Sequence, residues 1–190
     1  AARASGSVTG SEQVAPRHKL VEVDLEGGAH DLALIDAVES SEPFVGARAL
    51  LDPAMLHRLL LTRADAAGVG MTSVGGLLRP LDDAEDAALL LELGDGGATV
   101  HAPIAPGFYD EVPVARMAEL ALDAHVDVTG PCLLAFDGER ERPLERGERA
   151  LLRVARTGPR VIDIPRTMRL SACGGRFVSG AVASGRSDAH

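Results

Sequence analysis

The sequence predicts a mainly β protein: an antiparallel β-sandwich of about nine or ten strands with one or two short helices. Two observations carry this. Short apolar runs recur at intervals of roughly 8 to 14 residues, separated by Gly, Pro, Asp and charged turns, where βαβ units would need long helical stretches between strands. Aromatic residues make up only 3% of the chain, with no Trp, so the core must be built from Leu, Val, Ile and Ala. A chain of 190 residues, 46% hydrophobic and 25% charged, is long enough for such a core. Folding should bury roughly 70% of its unfolded surface.

Residues 1–17 are small, polar and rich in Gly and Ser, and read as a linker or flexible terminus. The β domain is expected over 18–178, with a mobile tail over 179–190. "KLVEVDL" (Lys19 to Leu25) reads as a strand, although Val21 breaks strict alternation. "EGG" supplies turn chemistry, and "HDLALIDAV" (His30 to Val38) reads as the returning strand. The strongest helix pattern follows in "DPAMLHRLLLTRAD". Asp52 is placed to cap it, Pro53 opens it, and Met55, Leu56, Leu59 and Leu60 fall at helical spacing. From Gly68 the pattern returns to β. "ALLLELGDGGATVHAPI" reads as a hairpin, "VPVARM", "HVDV", "CLLAF" and "PRVIDI" as further strands, and Arg166 to Ala172 as a short helix after Pro165.

The formal charge of −9, with a single lysine at Lys19, argues against nucleic-acid and anionic-membrane surfaces. Cys132 and Cys173 lack metal-site or disulfide-framework spacing, and the six histidines show no metal-ligand spacing, so no metal site is expected. The sequence shows no signal peptide and no apolar run long enough to span a bilayer, which makes a reduced, cytoplasmic protein the default expectation.

Four segments invite a chemical reading. "LGDGGA" (Leu93 to Ala98) resembles a phosphate loop, but the next segment reads as a strand, so a hairpin turn accounts for it better. "GVGMTSVGGLLRP" (Gly68 to Pro80), with four glycines, two hydroxyls and a closing Pro, could let backbone approach a ligand, with Thr72 or Ser73 hydrogen bonding to it. The alternative is a glycine-bulged strand. In "FVGARALLDP", Arg48 could clamp an anion or pair with Asp52. In "LLAFDGERERPL", Asp137-Gly138 is either a hairpin corner or a carboxylate held toward a ligand.

The order "ALIDAV", "FVGARAL-x-DP", "GMTSVGGLLRP", "APIAPG" and "LAFDGERE" resembles the C-terminal half of the acetoin-catabolism protein X family, grouped with the ATP-NAD kinase-like proteins. The resemblance covers about residues 17 to 177. It implies a β-sandwich that contributes to an NAD site and to homo-oligomer contacts, in a family that moves a phosphoryl group from ATP, with Mg, to NAD. Asp36, Arg48, Thr72, Ser73, Gly75, Gly76, Asp137 and Gly138 become the nucleotide-site candidates. Ile35 stands where the kinases place an Asn. The Gly-Gly-Asp-Gly-Thr loop that carries catalysis in that family is absent from this sequence, so no catalytic residue is expected and phosphotransfer would need another domain. The competing reading is a non-enzymatic assembly or regulatory module linked to acetoin catabolism, with a homo-oligomer rather than a nucleotide as its partner.

Overall fold

β1 (Leu20–Leu25) and β2 (His30–Ala33) form the expected opening hairpin, with Val21 opposite Ala33 and Asp24 opposite His30. They belong to a computed structural model that describes residues 14–41 and 53–180. Past Ala33 the chain does not extend the same strand, as "HDLALIDAV" suggested. It bends at Leu34 and Ile35 and enters a second sheet as β3 (Asp36–Ser40).

The later strands are β4 (Leu56–Leu61), β5 (Ala87–Ala105), β6 (Phe108–Ala121), β7 (His125–Thr129), β8 (Cys132–Phe136), β9 (Arg140–Leu144) and β10 (Arg149–Ala155). One sheet has the order β2-β1-β10-β7 and the other β6-β5-β4-β3-β8-β9, with antiparallel pairing throughout. With two short helices among the described residues, this is the mainly β fold the sequence predicts. Val21, Val23 and Leu152 from the smaller sheet pack with Leu60, Leu134 and Phe136 from the larger, forming the sandwich interior. A second apolar cluster lies on the other face of the larger sheet. There Leu59, Leu61, Leu89 and Leu91 meet Met71 and Val74 of helix α1 (Met71–Leu78).

The compact unit His18–Gly158 holds the ten strands found among the described residues, and α1. A second unit combines the described residues before His18 with those after Gly158, 14–17 with 159–180. It contains helix α2 (Ile164–Cys173), close to where a helix was expected after Pro165. Among the described residues no helix is long and apolar enough to cross a membrane.

Four local expectations are corrected. The helix expected after Asp52 is instead a single 3₁₀ turn at Pro53–Met55, followed by strand β4; Asp52 itself lies outside the described residues. β4 sits inside the larger sheet, and both of its faces are buried. Leu59 and Leu61 point to one core and Leu60 to the other, so its apolar run copies a helical stripe. The segment after Gly70, expected to be β, is helix α1. "LGDGGA" is not a hairpin turn. Leu93 and Ala98 both face Val114, and Gly94 to Gly97 loop out as a bulge within the long strand β5, whose turn comes at Pro106-Gly107. "PRVIDI" forms no strand; Arg160 makes one isolated bridge to Arg17 before α2 begins.

Candidate functional site

The corner at Leu34–Ile35 crosses from one sheet to the other, which leaves three successive backbone N–H groups without a strand partner. Asp137 satisfies them. Its Oδ2 accepts from Leu34 N at 2.8 Å, and its Oδ1 accepts from Ile35 N at 2.7 Å and, more weakly, from Asp36 N at 3.4 Å. Asp137 and Gly138 both have positive φ, 55° and 68°, as the two central residues of a tight turn between β8 and β9 require. Asp137 is thus a hairpin corner whose carboxylate is bound, but by the protein's own backbone. Charge-assisted bonds of this kind are among the stronger ones in proteins.

Asp36 stands next to this anchor. Its carboxyl pKa is pushed up to about 6, first by burial and second by repulsion from the Asp137 carboxylate.

On the other side of the corner lies an open groove of about 730 Å³, lined in part by Ile35, Arg63, Asp65, Gly68, Thr72 and Asp82. That volume lies in the range of small-molecule sites. Its floor is a tight connection between β4 and α1. Asp65 N donates to Thr72 O at 3.1 Å, Gly68 N donates to Asp65 O at 3.0 Å, and Asp65 Oδ1 accepts from Ala67 N at 2.9 Å. The opposite rim is pinned by the chain's one lysine. Lys19 is 1% exposed, and its Nζ donates to Ala87 O at 2.8 Å and Asp82 O at 3.2 Å. Its backbone N donates to Asp83 Oδ1 at 3.1 Å. Burial pulls the Lys19 pKa down from the usual lysine value, while the nearby Asp83 carboxylate opposes that shift.

The predicted residues have separate fates. Thr72 lines the groove, and Asp36 adjoins it through Ile35. Ser73 is 0% exposed, and its Oγ donates to Gly70 O at 2.7 Å, so its hydroxyl is turned inward. Gly75 and Gly76 serve packing. A Cβ on Gly76 would lie 2.3 Å from both Ala66 N and Asp65 C, and one on Gly75 would lie 2.4 Å from Leu61 Cδ1. Gly138 is exposed in its turn, and Arg48 lies outside the described residues.

Sequence reasoning missed Arg63, which is exposed on the groove wall and has no ion pair among the described residues. Seven other arginines make ion pairs among the described residues, Arg156 with Asp86 and Arg79 with Glu85 for example. A sequence signal was available: Arg63 lies two residues past the apolar run of β4, where a strand end delivers its side chains to a rim. Among the described residues no cluster of His, Cys, Asp or Glu could hold a metal ion.

Chemically, the groove offers the Arg63 guanidinium, which has no ion pair among the described residues, a threonine hydroxyl and the carboxylates of Asp65 and Asp82, while the Asp83 carboxylate is already held by Lys19 N, His18 and Arg156. A metal-bound triphosphate fits poorly, because its charge would face the Asp65 and Asp82 carboxylates against one arginine, with no ligand cluster for its metal among the described residues. A ligand with hydroxyls and little net charge fits better.

Residues 19–157 match the model of the acetoin catabolism protein X C-terminal domain. A similar protein, the acetoin catabolism protein X of Cupriavidus necator, is 34% identical over 173 residues, covering 87% of this chain and 48% of that protein. This chain therefore spans about half the length of that relative. It belongs to the acetoin catabolism protein X C-terminal domain family.

Proposed function

We propose that this acetoin catabolism protein X C-terminal domain binds an NAD-type nucleotide in the groove between the Leu34–Ile35 corner and the N-terminal end of α1. One observation carries the reading. Two sequence blocks far apart in the chain, "ALIDAV" and "GMTSVGG", supply Ile35 and Thr72 to the same groove, and a third, "LAFDGERE", holds the corner in place through Asp137. Arg63 faces the ligand's phosphate, and Thr72 with the groove carboxylates faces hydroxyls of its ribose.

The domain is one wall of a nucleotide site. Phosphoryl transfer, as the kinase-like resemblance implies, would need machinery this sequence lacks, so the chain alone is catalytically silent. The relative's name places that protein in acetoin catabolism, and we extend that setting to this chain.

Calorimetric titration with NAD, NADH, NADP and ATP tests the reading. NAD-type ligands should bind, ATP more weakly, and Arg63→Ala should weaken NAD binding about tenfold, as loss of a charged hydrogen bond does. Thr72→Val should weaken it less. No binding by any ligand, or unchanged affinity in both variants, would overturn the proposal.

A further inference from the structure

The sequence holds two Asp-Gly dipeptides, Asp95-Gly96 and Asp137-Gly138. In such a pair the glycine's backbone nitrogen, unshielded by any Cβ, is well placed to attack the side-chain carbonyl carbon of the aspartate. Whether it does so depends on how firmly the carboxylate and the backbone around it are held. Both dipeptides lie in the compact unit His18–Gly158, so their surroundings compare directly.

Asp137 is held on every side. Its carboxylate accepts from the backbone N–H groups of Leu34, Ile35 and Asp36. Its own N donates to Asp36 O at 3.2 Å, and Glu139 N donates to Phe136 O at 3.0 Å to close the turn. Asp95 has none of this. Its carboxylate makes no hydrogen bond or ion pair among the described residues. Leu93 and Ala98 both face Val114, so residues 94–97 bulge out of β5 with no cross-strand partner on either side. Gly94 and Gly96 sit at φ 131° and 102°, and a Cβ on either would meet nothing within 4 Å. The backbone on both sides of Asp95 can therefore change conformation without giving up a packed contact.

We propose that Asp95-Gly96 is a site of spontaneous isoaspartate formation, and that the amides of the Leu34–Asp36 corner protect Asp137-Gly138 from the same reaction. Gly96 N attacks Cγ of Asp95. The N–Cγ bond forms, the Gly96 amide gives up its proton, and one carboxyl oxygen leaves as water. A second water then opens the cyclic imide. Cleavage of the N–Cγ bond restores aspartate. Cleavage between the Asp95 carbonyl carbon and Gly96 N instead leaves the chain running through Cγ, with the α-carboxylate free. Water lost equals water gained, and nothing is oxidised or reduced. The product adds a methylene to the backbone inside a bulge that has no register to break. This modification is independent of the nucleotide groove, and its test reads bond connectivity and not ligand binding.

The test ages the whole folded chain in neutral buffer at physiological temperature. Its proteolytic peptides are then read by electron-transfer fragmentation, which separates aspartyl from isoaspartyl linkages of equal mass. Isoaspartate should accumulate at Asp95 at least about tenfold faster than at Asp137, because the bonds to the Asp137 carboxylate must break before it reacts. In concentrated urea, where the fold is gone, the two rates should converge. Asp95→Glu should abolish the signal at that position and leave the slow rate at Asp137 unchanged. Residue 95 has no strand partner, so circular dichroism of the variant should match that of the parent. The proposal is overturned if isoaspartate in the folded chain accumulates no faster at Asp95 than at Asp137. A preference for Asp95 that persists undiminished in urea would also contradict it, because the fold would then play no part.

Discussion

β4 and α1 follow one another in the chain, and each takes the conformation that local pattern would have given to the other. Leu56–Leu61 carries apolar residues at helical spacing and is a strand; Met71–Leu78 carries two adjacent glycines and is a helix. The reason is the same in both cases. β4 lies within the six-stranded sheet and feeds two cores at once, so its last three positions are consecutive leucines and the period-2 signal is erased. α1 must lie against the backbone of residues 65 and 66 and the side chain of Leu61, and only glycine leaves room there. Tertiary packing outweighs a glycine penalty of about 1 kcal/mol per residue in a helix interior.

The strongest way to break this pairing is Gly76→Ala. Its new Cβ would meet backbone atoms at 2.3 Å, which cannot rotate away, so the loss should reach about 4 kcal/mol in urea unfolding or prevent folding. Next is Leu59→Ala, at a 0% exposed position in the strand, with an expected loss of about 3 kcal/mol. The matching change on the helix's open side, Leu77→Ala at a position 46% exposed, should stay within about 0.5 kcal/mol. If the two leucine variants were equally destabilised, the assignment of buried strand and half-covered helix would be wrong.

A smaller effect sharpens the account of the corner where β3 begins. Asp36 titrates near 6 in the folded chain, above its ordinary 3.8, so the folded state holds this proton more tightly than the unfolded state does. Its contribution is therefore most favourable at low pH. It declines as pH rises from about 4 to about 6, and is flat above that. Asp36→Asn should remove this slope, leave stability near pH 4 unchanged, and raise it near pH 7 by about 2 kcal/mol after allowance for partial exposure. Unfolding free energies measured from pH 4 to 7 in both proteins check this, and parallel curves would reject the coupling.

Legibility in the sequence followed what each residue must satisfy. Turn chemistry was local and readable: Asp137-Gly138 adopts the positive φ pair its dipeptide favours. The use of the Asp137 carboxylate was not readable, because its acceptors' partners lie more than a hundred residues away at Leu34 and Ile35. Ser73 looked like a ligand hydroxyl because nothing local shows that the helix turns it inward. Arg63 went unnoticed among many arginines; its place two residues past the apolar run of β4 was readable, but the groove it lines is made by the fold. The long bulge at Gly94 to Gly97 carried the same glycines as a hairpin, and only the pairing of both its ends with Val114 tells the two apart.

The most direct test of the nucleotide groove is residue by residue. Amide resonances of the isotope-labelled chain are followed as NAD is added. The account predicts concentration-dependent shifts confined to Ile35, Arg63 to Gly68, Thr72 and Asp82, with the smaller sheet unmoved. Shifts absent at saturating NAD, or gathered on the smaller sheet instead, would contradict it.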